Sequence, residues 1–234
     1  MISRRMTLIV LTLIMMFSSL FSQVAISPTS AFLDSKQRFE TILIMNNSKD
    51  PQEVKLAFKF AYPKANEAGD IELIYDDANE EKLHSATDWL RGFPKNFVLG
   101  PGERQIVRVT AKPPRGIEPG MYWSRLVTTS SAVSPEVGAV NQTGISTQIT
   151  MQFNQITSIF YKSGVVTSGV VPYKLRPVIE DQVANVFVDY TKSGNAPFLG
   201  TMHAEVFDGE GKLVQEKKVF VSIYYDGLRR LTMD

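Results

Sequence analysis

The residues able to do acid–base or metal chemistry are few and scattered. His84 and His203 are the only histidines, far apart in sequence and with no ligand spacing around either, so both read as ordinary surface or partly packed side chains. Cysteine is absent, which removes disulfides, thiol nucleophiles and thiolate metal sites. Asp76, Asp77, Glu80 and Glu81 make an acidic run, but it lacks the loop pattern calcium binding needs and reads as a solvated turn. Gly209 and Gly211 lack the Lys-Ser/Thr of a phosphate loop. No nucleophile–base pair, cofactor motif or metal set emerges, so the expectation is a protein that is not an enzyme and needs no cofactor. The formal net charge of +1 argues against nucleic acid, which calls for a basic stripe.

A different chemistry, that of main-chain recognition, is legible near residue 150. Ile145, Ile149, Met151 and Phe153 share one face of an extended segment, and Thr150, Gln152 and Asn154 share the other. The segment 145–161 has no Pro or Gly. At ~3.3 Å per residue it spans about 55 Å, far beyond an ordinary strand, so something must occupy its far side or far end. Such a row ordinarily faces the protein's own core; the alternative is that it serves another chain.

The remaining elements are also strands. Val54, Leu56, Phe58 and Phe60 alternate with Lys55, Ala57, Lys59 and Ala61, a half-buried strand of period two. The run 39–45 reads as a more fully buried strand stopped by Asn46. Further strands are expected at 71–75, 97–99, 106–111 and 121–128, and helical character only at 78–89. The Gly100-Pro101-Gly102 sequence is a turn signal, and 130–143 reads as an exposed loop. Ser163-Gly164 and Ser168-Gly169 mark a composition shift, taken as a domain boundary. Beyond it, 183–190, 199–207, 213–219 and 221–225 are strand-like, and Asp208-Gly209-Glu210-Gly211 joins the middle pair as a hairpin. The expected fold is all-β, with two immunoglobulin-like β-sandwich domains, 23–162 and 165–234, the second short or truncated.

The amino terminus carries a targeting signal. Arg4 and Arg5 precede a hydrophobic run from Met6 to Phe21, the pattern of a secretory signal peptide over 1–22. Its removal takes the formal charge from +1 to −1 and leaves a chain expected to be soluble.

The order of these segments resembles the periplasmic pilus chaperones, the PapD-like family. Ile26 to Asp34 is similar to that family's first strand and Ile42 to Ser48 to its second. Phe97 to Glu103 followed by Ile106-Val107-Arg108-Val109 is similar to its proline-glycine turn and "VR" strand, and Met121-Tyr122-Trp123-Ser124-Arg125-Leu126 to its aromatic strand. Ser193-Gly194-Asn195 and the 208–211 turn resemble turns of its second domain. The resemblance implies a chaperone in the periplasm that holds pilus or fimbrial subunits by donor-strand complementation and delivers them to an outer-membrane usher. Fimbrium biogenesis and cell wall organization would be its setting, with no small-molecule substrate. It implies that Ile149, Met151 and Phe153, with Ile145 extending the row, fill a subunit's open groove.

One departure matters. The family holds the terminal carboxylate of its subunit with an arginine and a lysine in the interdomain cleft, and here those positions fall on Ser30 and Ser158. Lys162, Arg125 and Arg108 are the nearest basic candidates for a substitute, and each reads more simply as a solvated strand-edge cation. A divergent branch would show this departure. A contrasting expectation is an exported structural or adhesive immunoglobulin-like module that uses the long strand internally and has no client.

Overall fold

The computed structural model describes residues 24–133, 151–180 and 183–233. Strands dominate the described residues. In its first part the strands are β1 (Val24–Ser27), β2 (Ser30–Asp34), β3 (Phe39–Asn46), β4 (Gln52–Lys59), β5 (Tyr62–Ala65), β6 (Ile71–Ile74), β7 (Leu90–Phe93), β8 (Asn96–Leu99), β9 (Arg104–Ala111), β10 (Gly120–Ala132) and β11 (Gln152–Ser163). One short helix, α1 (Ala78–His84), and a single 3₁₀ turn at Thr87–Trp89 fill the 78–89 stretch. No helix among the described residues is long and apolar enough to cross a membrane.

Two sheets face each other. One has the order β1-β3-β9-β7 and the other β2-β11-β10-β4-β8, the two-layer arrangement of an immunoglobulin-like sandwich. Successive strands alternate between the layers through most of this part, the first crossing running from β1 to β2 past Pro28 and a later one from β7 to β8 past Pro94. The first crossing lays β2 parallel to β11, Ser30 opposite Ser158 and Phe32 opposite Phe160. Between the layers lie Leu33, Ile42, Ile44, Val54, Leu56, Val107, Val109, Leu126 and Ile159, all essentially sealed. Asn46 ends β3 as a fully buried polar knot: its amide nitrogen donates to the carbonyls of Asp50, Leu99 and Gly100 at 2.9–3.1 Å, and its oxygen accepts from Ser48.

The second part holds β12 (Gly169–Glu180), β13 (Val183–Ser193), β14 (Phe198–Phe207), β15 (Leu213–Ile223) and β16 (Gly227–Met233). They form a three-stranded sheet, β12-β13-β16, and a two-stranded one, β14-β15. Between these sheets is an apolar cavity of about 490 Å³, bordered by Val170, Val188, Met202 and Ile223. The turn at Ser193-Gly194-Asn195 clasps the two parts. Asn195 donates to the carbonyls of Pro119 and Val165 and accepts from the Thr167 amide. Gly194 sits at φ +85°, and a Cβ there would meet Thr167 O at 2.2 Å, so only glycine fits.

Several expectations need correction. The 39–45 strand is not fully buried: Phe39 and Leu43 face outward, Phe39 beneath the Arg108 guanidinium at 3.8 Å. Residues 130–132, read as loop, continue β10. The expected strands 213–219 and 221–225 merge into one, β15, which ends at Ile223 and leaves Tyr224 and Tyr225 beyond it. Strands β12 and β16 were not expected at all. Pro172 and Pro177 masked β12, which lies at a sheet edge, where proline is tolerated.

Candidate functional site

β11 has two different halves. Its odd-numbered side chains share one face, and burial along that face falls off sharply. Thr157, Ile159 and Tyr161 are sealed in the sandwich, whereas Phe153 is 36% exposed and Met151, the residue just ahead of the strand, 62%. The row that builds the core therefore runs out of it. Ile145 and Ile149 lie outside the described residues. On the other face Ile156 is also exposed, beside the polar Gln152 and Asn154.

Among the described residues, the backbone of the same half is paired along one edge only. β10 pairs with β11 over its full length, from Gly120↔Ser163 to Ser131↔Gln152. On the other side, β2 pairs only with Ser158 to Lys162, beginning where the Ser158 amide donates to Thr29 O at 3.0 Å. Among the described residues no strand pairs with this edge ahead of Ser158. Because hydrogen-bonding groups alternate sides along a strand, the free edge presents the N–H and C=O groups of Gln152, Asn154 and Ile156.

Where β2 begins, the even face of β11 turns toward the second part of the chain. Ser30 and Ser158 are brought together and border a cleft of about 280 Å³ with Phe32, Phe160, Phe220, Ser222 and Tyr224. Phe32 stacks on Phe160 with ring centroids 5.1 Å apart. Lys162 does not reach this cleft: it is exposed, opposite Asp34, about 13 Å along the strand from Ser158.

Arg125 corrects a sequence expectation. It is not a solvated edge cation but 4% exposed. Its Nε donates to Ala61 O at 3.0 Å, one terminal nitrogen to Ser158 Oγ, and the other to the Tyr224 hydroxyl at 2.9 Å. No carboxylate forms an ion pair with it among the described residues, an unusual condition for a buried cation. Both hydroxyls accept from Arg125, so each keeps its own proton to donate, and both border the cleft. Burial pushes the Tyr224 hydroxyl pKa up, against a smaller opposing pull from Arg125, so it stays a donor. The charge missing from Ser30 and Ser158 is thus present on the neighbouring strand, directly opposite Ser158. Sequence reasoning missed Tyr224; the only signal was its place at the end of an apolar alternating run.

An aromatic cluster of Phe60, Tyr62, Trp123, Phe160 and Tyr224 joins the two parts beside this cleft. His84 stacks on Trp123 at 4.9 Å, and burial lowers its pKa, partly offset by Glu80. The acidic run is structural: Asp77 caps α1 and accepts from the Tyr62 hydroxyl at 2.7 Å, and Glu80 accepts from the Tyr225 hydroxyl at 2.6 Å.

No family model and no curated protein matches the chain. Its neighbours among solved structures include many fimbrial and pilus chaperones. The class 5 fimbriae chaperone CfaA is 18% identical with a TM-score of 0.45, covering 88% of this chain and 83% of that one. The chaperone YadV is 11% identical with a TM-score of 0.47, covering 90% and 100%. A CsuC–CsuE chaperone–tip adhesion subunit pre-assembly complex from archaic Csu pili of Acinetobacter baumannii gives 11% identity and a TM-score of 0.43, covering 90% of each chain. Identities this low leave function to be argued from the chain's own geometry.

Proposed function

We propose that the chain is a periplasmic chaperone that holds an incomplete pilus or fimbrial subunit by lending it the amino-terminal half of β11. One observation carries this reading: an open strand edge coincides with an apolar row that leaves its own core at Phe153 and Met151. An open edge with exposed apolar side chains is an aggregation hazard, and a groove that needs a strand is its natural complement. Main-chain hydrogen bonds to Gln152, Asn154 and Ile156 would give affinity indifferent to sequence. Met151 and Phe153, with Ile149 and Ile145 further along the row, would fill successive pockets.

Register needs a separate anchor, because a slip of one residue would turn the polar face into the groove. In this proposal the subunit's terminal carboxylate enters the cleft at Ser30 and Ser158, accepting from the Ser158 and Tyr224 hydroxyls that Arg125 orients. Hydrogen bonds to a charged acceptor are the stronger kind, and the buried, uncompensated guanidinium favours an anion there. Delivery to an outer-membrane usher belongs to the same proposal.

The test is co-expression with the small secreted proteins encoded beside the gene, followed by isolation of complexes from the periplasm. A one-to-one complex that survives in the parent and is lost in Met151→Asp supports donation. Recovery of a folded chain with no companion in any combination would favour a structural or adhesive module instead.

A further inference from the structure

The hairpin β14–β15 is a sheet of only two strands among the described residues. Two strands alone are marginally stable, and a chain without cysteine has no disulfide to staple them. The inner face of the hairpin carries Met202, Ala204, Val219 and Val221, all at least partly covered, while its outer face carries charge.

On that outer face Glu205 lies directly opposite Glu216, and His203 directly opposite Lys218. Two carboxylates facing each other across a ladder destabilise it unless a cation sits between them. His203 Nε2 is 3.1 Å from Glu216 Oε2 and 3.5 Å from Glu205 Oε1. One donor atom from each of the three residues falls within 4.8 Å of the others. Small side-chain rotations would bring all three to the ~2.1 Å at which zinc takes nitrogen and oxygen ligands. The Lys218 ammonium, 3.4 Å from Glu216 Oε2, is the resident competitor; it is exposed and can swing away.

We propose that His203, Glu205 and Glu216 form a binding site for a divalent transition-metal ion, zinc in first place, that clamps β14 to β15. The imidazole selects transition metals over calcium and magnesium, which prefer oxygen alone. Nε2 coordinates through its lone pair with the ring proton on Nδ1, and the two carboxylates complete a three-ligand set drawn from adjacent strands. The ion balances the opposed glutamates and fastens a hairpin that has no third strand among the described residues.

The test is calorimetric titration of zinc chloride into the tag-free full chain, paired with thermal unfolding with and without zinc. One saturating event per chain and a zinc-dependent rise in Tm are expected. His203→Ala and Glu216→Gln should each weaken binding about tenfold or more and remove the rise in Tm. His84→Ala, which changes the only other histidine, should leave both intact. Absence of a saturating event in the parent, binding unchanged in His203→Ala, or loss of binding in His84→Ala would each overturn the proposal.

Discussion

Met151 and Phe153 belong to one apolar row but differ in exposure, and the difference separates binding from folding. Fully burying such a side chain is worth about 1.5–3 kcal/mol. Met151, 62% exposed, has about 1–2 kcal/mol still to gain on docking. Phe153, 36% exposed, has about 0.5–1 kcal/mol. Met151→Ala should therefore weaken binding of the proposed pilus partner roughly 5- to 30-fold and leave the free chain's stability within about 0.5 kcal/mol of the parent, as for other surface sites. Phe153→Ala should weaken binding only about two- to fivefold. It should cost the free chain about 2–3 kcal/mol, roughly two-thirds of the loss for a fully buried phenylalanine. Urea unfolding of the free chain and titration against the proposed pilus partner measure the two quantities separately. A Met151→Ala chain that binds as tightly as the parent, or a Phe153→Ala chain that loses binding but no stability, would refute the reasoning.

Two other predictions concern the junction between the two parts. Arg125→Met should shift urea stability by no more than about 2 kcal/mol, because stranding the Ala61 carbonyl is offset by removing a buried cation that has no carboxylate partner among the described residues. It should also abolish discrimination between peptides copied from the carboxy-terminal end of the pilus protein that finish in a free carboxylate and those that finish in an amide, a preference the parent should show in competition binding. His84 supplies a pH dependence. Burial lowers its folded pKa below 6.5, so the unfolded chain takes up the proton first and stability falls as pH drops through 6.5. Denaturant midpoints between about pH 8 and about pH 5 should show that fall in the parent, and His84→Gln should flatten it.

Much of the first sandwich was readable because its strands alternate. Val54, Leu56 and Phe60 are buried while Lys55, Ala57 and Lys59 face out, as period two requires. The pattern fails where a strand face meets something other than water or its own core. β10 buries Trp123 and Arg125 on the face opposite Leu126 because the second part of the chain covers that side. A local reading assigns that face to solvent, and so it placed Arg125 in water. The carboxylate-anchor positions were legible as a departure, but the compensation was not. Ser158 on β11, Arg125 on β10 and Tyr224 beyond β15 meet only through long-range packing. His203, Glu205 and Glu216 went unread for a related reason, since their proximity depends on the register of β14 with β15. β12 was lost to its prolines, and Phe220, outward in the middle of β15, made one strand look like two.

The central claim is that the Gln152–Ile156 edge of β11 is held open for another chain. Amide-resolved hydrogen exchange, on the free protein and on its assembly with the proposed pilus partner, addresses it directly. The account predicts fast exchange at Gln152, Asn154 and Ile156 in the free protein and strong protection of all three in the assembly, with Ile159 and Tyr161 slow in both. Protection of those three amides before any partner is added, or fast exchange that persists once it is bound, would contradict it.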